Sequence, residues 1–201
     1  MFKKLTTLVI GNTLAALGIA MVVNSGLGCF AITAANLSIA NLTGLSMGTV
    51  GMLVELVMLT IATYKGEGIG WTAIVNAVYG SYLIDFFMML LPKHILMIFG
   101  LLILPFGWCL MGKAGLGDTG SNILMNALVK QSNKSIGLVR GLLECSFLAI
   151  GFIGARNYVT LFSILLSAGL GYFLQFVYKL IKYEPIQIKP EFLVGRKHET
   201  C

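Results

Sequence analysis

Two short stretches decide the fold, NSGLGCFAI at 24–32 and KAGLGDTGS at 113–121. A shift of 89 residues superposes their Gly-Leu-Gly cores and holds without a gap over most of the chain. The residues paired by this shift include Gly11 with Gly100, Gly18 with Gly107, Ser46 with Ser135, Gly48 with Gly137, Glu55 with Glu144 and Gly80 with Gly169. Two isolated glutamates that superpose inside apolar runs are an unusual coincidence. The register therefore predicts an internal duplication.

Composition defines the class of protein. Of the 201 residues, 57% are hydrophobic and 11% are charged, and apolar runs of membrane-spanning length recur along the chain. The net charge of +6 comes mostly from lysines in loops and the tail, so it indicates membrane topology rather than nucleic-acid binding. We find no metal-ligand cluster, nucleotide loop or nucleophile triad in the sequence. We therefore expect a multi-pass membrane protein that is not an enzyme and needs no cofactor.

Each half is predicted to contain a span, the Gly-Leu-Gly turn, a short segment and two further spans. The predicted spans are 5–24, 46–64 and 69–91 in the first half and 94–112, 135–154 and 157–181 in the second. The short segments, 29–43 and 118–131, are too short to cross a bilayer and are typical of re-entrant helices. We therefore predict an all-α fold of six transmembrane helices and two re-entrant segments. Three crossings per half place the halves in opposite orientations, as an inverted 3+3 repeat.

The membrane domain is expected to cover residues 1–182, with repeat halves at 5–91 and 94–181, followed by a cytoplasmic tail at 183–201. With both termini inside, only Lys93 and Arg156 fall outside, as the positive-inside rule requires. The lysines that this topology places inside are Lys3, Lys4, Lys65, Lys113, Lys130, Lys134, Lys179 and Lys182.

Ser46 and Ser135 are predicted N-caps, and small-residue packing faces are predicted at Gly11, Ala15 and Gly18 and at Gly137 and Gly141.

Glycine explains the turns, because a chain that reverses within a membrane needs a tight backbone buried in protein or beside water. The two short helices would point their N-termini, near Cys29 and Asp118, at the middle of the bilayer. That is where we place the binding site. Asp118 is predicted to cap the second short helix, with Thr119, Ser121 and Asn122 in its first turn. The first short helix, without such a carboxylate, stays open to an anion, which suits a zwitterion or a neutral polar solute.

Acids inside spans are costly and mark either a pathway or a structural pair. Glu144 lies four residues after Arg140, so a buried ion pair accounts for both. Glu55 has no basic residue in its span and is predicted to carry a proton or to bind a cationic group, unless neighbouring polar groups simply satisfy it. Asn76, Tyr79, Tyr82 and Asp85 have spacings that allow a shared polar face on the third span. The residues expected to bind solute or ion are Cys29, Glu55, Asn76, Asp85, Asp118, Thr119, Asn122, Arg140 and Glu144.

Gly-Leu-Gly-Asp also resembles the signature of intramembrane aspartyl proteases, for which Asp85 and Asp118 would be the carboxylate pair. The rest of that pattern is absent, so this remains a remote alternative. A closer resemblance covers nearly all the transmembrane part. The segments AALGIAMVVNSGLG, GLSMGTVG, EGIGWTAIVNAVYGSYLID and VRGLLE resemble the YczE/YyaS/YitT-type integral membrane proteins of bacteria.

That resemblance implies a bacterial inner-membrane protein that transports a solute. The sequence therefore predicts a secondary transporter for a small polar solute, with zwitterionic substrates and proton coupling through Glu55 left open. A passive channel and a membrane scaffold or accessory subunit are the alternatives. The expected partners are the solute and the lipid bilayer, and a homodimer is left open.

Overall fold

The computed structural model describes residues 2–92, 97–132, 134 and 136–167, and all the regular structure within them is helical. The long helices arise from uninterrupted apolar runs, and glycine turns or short polar loops separate them. The elements are α1 (Phe2–Asn24), α2 (Ala31–Thr43), α3 (Met47–Tyr64), α4 (Trp71–Val75), a π-helical turn (Asn76–Gly80), α5 (Ser81–Leu90), α6 (Met97–Ala114), α7 (Gly120–Ser132), α8 (Ile136–Gly154) and a 3₁₀ turn (Arg156–Tyr158).

Five stretches are long and apolar enough to cross a membrane, which defines the chain as a multi-pass membrane protein by length and composition. They are α1, α3, the continuous run Trp71–Leu90, α6 and most of α8. Most of the predicted sixth span, 157–181, lies outside the described residues. Within its described part, residues 161–167 are helical. The helices α2 and α7 have 13 residues each. Each is therefore about 20 Å long, less than a hydrocarbon core of about 30 Å.

Glycines join α1 to α6. A Cβ on Gly11 would lie 2.8 Å from the Gly107 oxygen, and a Cβ on Gly18 would lie 2.9 Å from the Gly100 oxygen. The contacts therefore run in opposite directions along the two helices, which are antiparallel. Because backbone meets backbone, no larger residue fits at these positions. The predicted small-residue face of α1 is confirmed.

Each short helix packs on a long helix from the other half of the sequence. The helix α2 lies against α8, where Gly154 N–H donates to Ser38 Oγ at 2.8 Å and Asn41 Nδ2 donates to the Gly154 oxygen at 2.9 Å. The helix α7 lies against α3 through an apolar cluster that includes Leu59 and Ile123. The halves are thus interleaved rather than adjacent.

Both Gly-Leu-Gly turns use the same backbone conformation. Gly26 and Gly115 have φ of 70° and 62°, and Gly28 and Gly117 have φ of 132° and 106°. These positive values favour glycine. A Cβ on Gly117 would also lie 2.7 Å from the Gly70 Cα, so this turn packs directly against the chain that leads into α4. Close approach and backbone conformation together account for the motif.

Other sequence predictions have mixed outcomes. Ser46 is the N-cap of α3 and accepts from Thr49 N–H at 3.1 Å, as predicted, whereas Ser135 lies outside the described residues. For the predicted packing face at Gly137 and Gly141, a Cβ would meet no described atom within 4 Å. Gly48, the register equivalent of Gly137, packs on Ser81 and Asp85, and the equivalents of those two residues lie outside the described residues, so this face stays a prediction.

Candidate functional site

A cavity of about 110 Å³ lies where the first turns of α2 and α7 meet α8. It is smaller than the roughly 300–1,000 Å³ pockets that hold drug-sized ligands, so its size fits a small solute. Its polar lining residues are Thr33, Ser121, Asn122, Arg140 and Glu144, and its aromatic ones are Phe30, Trp108 and Phe147. The rings of Phe30 and Trp108 form a tilted pair, with centroids 6.1 Å apart.

Several pairs of residues that the repeat register superposes line this cavity together. Ile19 and Trp108 are paired by the shift of 89 residues, as are Ile32 with Ser121 and Thr33 with Asn122, and all six line the cavity. Equivalent positions of the two halves thus face one shared space. Because the paired residues differ chemically, the space has a more apolar side and a more polar side.

Arg140 and Glu144 supply the charge of the cavity. The Arg140 Nη2 lies 3.8 Å from the Glu144 Oε1, with the side chains 42% and 25% exposed. The predicted pair is confirmed, but it is looser and less buried than expected. At that separation the two groups attract each other without a direct hydrogen bond.

Glu55 is buried, with 6% of its surface exposed, and occupies a different place. Its Oε1 accepts from the Gly120 N–H at 2.6 Å and from Asn76 Nδ2 at 3.2 Å. It therefore caps α7 from the other half of the chain. Among the described residues it forms no ion pair. The next two residues of α7, Ser121 and Asn122, line the cavity, so Glu55 lies directly behind the cavity wall.

Two sequence differences explain why Glu144 does not cap α2 in the same way. A Cβ on Gly120 would lie 2.9 Å from the Glu55 Cδ, and the equivalent residue at the start of α2 is Ala31, which has that Cβ. Arg140 is the second difference, since its equivalent beside Glu55 is Gly51. Glu144 thus meets a bulkier helix end and has an arginine one turn away.

Asp118 organises the turn before α7. Its Oδ1 accepts from Thr119 N–H at 2.8 Å and from Asn122 Nδ2 at 2.7 Å, while the Thr119 hydroxyl lies 3.3 Å from the Ser121 Oγ. Asp118 therefore bonds both Thr119 and Asn122, but it does not cap α7 as predicted, because the first N–H of the helix, that of Gly120, donates to Glu55 instead. Asn122 connects this carboxylate to the cavity.

Two predicted site residues lie elsewhere. Cys29 is fully buried, and its N–H donates to Ser163 Oγ at 3.1 Å, so it belongs to the turn rather than to the cavity lining. Asp85 accepts from Ser46 Oγ at 2.5 Å and from Gly48 N–H at 2.7 Å, so it secures the start of α3. Among the described residues, the hydrogen-bond partners of Asp85 lie at the start of α3, whereas those of Asp118 lie in and just before α7.

The polar residues predicted to share a face on the third span have separate surroundings, and a π-helical turn lies among them at Asn76–Gly80. Asn76 turns inward to Glu55, and the Tyr79 hydroxyl lies 3.1 Å from Thr13 Oγ1 on α1. Tyr82 is exposed. Each polar side chain on this span therefore has its own environment.

A larger groove of about 400 Å³ lies along α1 and α6, lined by Leu14, Ile103, Phe106, Cys109 and Leu110. All of its lining is apolar, so it offers nothing to orient a polar solute. We therefore take the smaller, charged cavity as the functional site.

The sequence did not single out Thr33, Ser121 or Trp108 as site residues. The signal was present in the register, because Thr33 is the equivalent of the predicted residue Asn122. Trp108 gave no such signal, since a tryptophan inside an apolar span resembles any other packing residue.

The architecture and the cavity together define a multi-pass helical membrane protein with a small internal polar site. The chain belongs to a family of unknown function, DUF6198, which it matches twice, over residues 2–95 and 91–196. No curated protein and no solved structure matches it.

Proposed function

We propose that the protein is a secondary transporter for a small polar solute, which binds in the cavity between the first turns of α2 and α7. The observation that carries this proposal is a charged cavity inside a bundle of membrane-spanning helices. Charged groups in such a setting mark solute or ion pathways more often than lipid-facing surfaces. The paired helix N-termini resemble the general plan of transporters in which broken or short helices meet at the substrate.

An inverted repeat supports alternating access. The reciprocal glycine contacts, Gly11 with Gly107 and Gly18 with Gly100, exchange with each other under the repeat register. An antiparallel pair with that property has the relation expected of a two-fold axis perpendicular to both helices. The two successive family matches agree with duplication of one unit. In this proposal α2 and α7 are re-entrant, there are six spans, and both termini are cytoplasmic, as the lysine distribution favours.

Glu55 is the proposed coupling group. It is an ionisable side chain within a span, and its carboxylate holds the N–H of Gly120. Gain or loss of a proton changes the charge at the start of α7, whose next residues line the cavity. A proton on Glu55 would therefore act on the solute through Ser121 and Asn122, without touching it.

The resemblance to YczE/YyaS/YitT-type proteins agrees with this role and with a bacterial inner membrane. This resemblance is separate from the family assignment, and it supports only the expectation of a transport function.

The test is uptake of small metabolites by the purified protein in proteoliposomes, with and without an inward proton gradient. We expect the gradient to accelerate uptake by the unaltered protein. Glu55→Gln should retain solute exchange but lose the response to the gradient. Glu67→Gln, the same change at an acid outside the spans, should behave as the unaltered protein.

Other results would separate the alternatives. Fast flux that shows no saturation and ignores both the gradient and Glu55→Gln would identify a passive channel. No flux of any solute, with a protein partner that copurifies stoichiometrically, would identify a scaffold or accessory subunit. Cleavage of membrane peptides that depends on Asp118 would revive the protease alternative.

A further inference from the structure

The two equivalent glutamates leave one helix end occupied and the other open. At α7, Glu55 accepts a hydrogen bond from the first N–H. At α2, the N-cap residue Phe30 provides no side-chain cap, and no carboxylate among the described residues accepts from Ala31. The cavity lies between Glu144 and the first turn of α2. Their equivalents in the other half, Glu55 and the start of α7, are in direct contact.

Thr33 gives an independent sign of a ligand at this place. It lies in the first turn of α2, lines the cavity and is only 4% exposed. Its hydroxyl forms no hydrogen bond with another described residue, although the side chain is almost completely covered. Because this residue lines the cavity, its hydroxyl is available to a ligand oxygen at the end of α2.

We propose that the cavity binds a small zwitterion of the amino-acid type, with its carboxylate at the first turn of α2 and its ammonium at Glu144. This inference rests on the proposed transport function and names its substrate class. The carboxylate takes the place that Glu55 occupies at α7, where free N–H groups and the helix dipole favour negative charge. The Thr33 hydroxyl and the Arg140 guanidinium donate to it.

The ammonium has its own partners on the opposite side. Glu144 supplies a negative charge, and the Ser121 hydroxyl supplies a neutral acceptor. Because the Arg140–Glu144 pair is loose, at 3.8 Å, a zwitterion can insert one charge beside each group without leaving either unpaired. A ligand with a single charge would disturb that balance, because one member of the pair would face a like charge or none.

The first experiment measures the melting temperature of the purified full-length protein with three matched sets of ligands. Glycine and L-alanine carry both charges, acetate and propionate carry only the carboxylate, and methylamine and ethylamine carry only the ammonium. We expect the zwitterions alone to raise the melting temperature, by about 3–8 °C at saturation. The same solutes should be taken up in the proteoliposome assay.

Variants then assign the two ends of the ligand. Thr33→Val and Arg140→Gln should each weaken alanine binding by about tenfold or more. Glu144→Gln should weaken alanine binding by a similar factor, and it should allow some binding of propionate because the charge of Arg140 is then unopposed. Thr60→Val is the matched control, because Thr60 is exposed on α3 and its hydroxyl bonds within its own helix. Its affinity for alanine should be unchanged.

The outcomes distinguish this inference from the transport proposal. Stabilisation by propionate or ethylamine equal to that by alanine would overturn the zwitterion assignment. Uptake of a different solute class, with no binding of any of the six ligands, would overturn it while the transporter stands. Absence of both binding and flux for every solute tested would remove the transport proposal itself.

Discussion

The starts of α2 and α7 occupy equivalent positions in the repeat, yet they have different chemistry. At α7 a buried glutamate holds the first N–H of the helix. At α2 the equivalent glutamate pairs with an arginine, and a cavity lies in front of the helix. Two sequence differences at paired positions account for this. Arg140 stands near Glu144 where Gly51 stands near Glu55, and Ala31 begins α2 where Gly120 begins α7. Under the proposed duplication, one helix end is held by a carboxylate of the chain and the other is left for the proposed ligand.

The largest expected effect comes from breaking the contact that relates the two halves. Gly107→Ala should destabilise the protein by more than about 3 kcal/mol, because the new Cβ meets rigid backbone of α1 rather than a movable side chain. A Cβ there would lie 2.5 Å from the Ala15 nitrogen. Size-exclusion chromatography and thermal unfolding measure the loss. Gly68→Ala is the control, because Gly68 is exposed and a Cβ there would meet no described atom within 4 Å. It should be neutral, and equal losses in both variants would contradict the packing argument.

The next effect separates the two glutamates. Glu55→Ala should cost about 2–4 kcal/mol of unfolding free energy, since it leaves the Gly120 N–H and the Asn76 amide without their acceptor. Glu144→Ala should cost less than about 1 kcal/mol, because its partner is half-exposed and loosely paired. Chemical unfolding of the two variants side by side provides the measurement. If Glu144→Ala were the more damaging change, the assignment of structural and ligand-binding roles would be reversed.

A milder change makes the α7 end resemble the α2 end. Gly120→Ala should displace the Glu55 carboxylate from the helix N-terminus and reduce stability by about 1–2 kcal/mol, after the better helix propensity of alanine offsets part of the loss. The unfolding free energy of this variant, measured with and without Glu55→Ala, tests the mechanism. Additive losses would show that Gly120 and Glu55 act independently.

The smallest effect concerns the far ends of the short helices. Lys130 pairs with Glu67 at 2.6 Å, and its repeat equivalent Asn41 bonds the Gly154 oxygen instead. Lys130→Ala should cost about 0.2–1 kcal/mol, a loss that shrinks at high salt because the Lys130 side chain is half-exposed, although that of Glu67 is mostly buried. Asn41→Ala should show a loss of similar size that salt does not change. Melting curves at two ionic strengths decide whether the two ends differ in this way.

The sequence predicted much of the helical organisation, since apolar length and the glycine turns are local properties. The short segments, five of the six predicted spans, the small-residue face of α1 and the N-cap Ser46 all follow from composition and spacing. The partners of Asn76 and Tyr79 on the third span, Glu55 and Thr13, lie on other helices, and the spacing of the polar residues does not reveal them. The predicted face at Gly137 and Gly141 stays a prediction, because the segment it would pack against lies outside the described residues.

The site was predicted in part for the same reason. Asp118, Thr119 and Asn122 act locally in one turn, and Arg140 and Glu144 are one helical turn apart, so spacing alone brought each set together. Cys29 and Asp85 were assigned to the cavity because they flank apolar segments. Their partners lie far away in the chain: Ser163 bonds the Cys29 N–H, and Ser46, at the start of α3, donates to Asp85. The local sequence does not reveal such contacts.

By itself the sequence determined that the chain is a multi-pass helical membrane protein with repeated glycine turns and a few ionisable residues inside apolar runs. These features depend on the free energy of transferring segments into lipid and on backbone conformations that favour glycine. Only the tertiary structure decided which helix each glutamate meets. Glu55 lies 65 residues from Gly120 in the chain, and contact between them depends on the interleaved packing of α7 on α3. Such a contact is set by the geometry of the whole bundle, because neither segment carries the other's position in its own sequence.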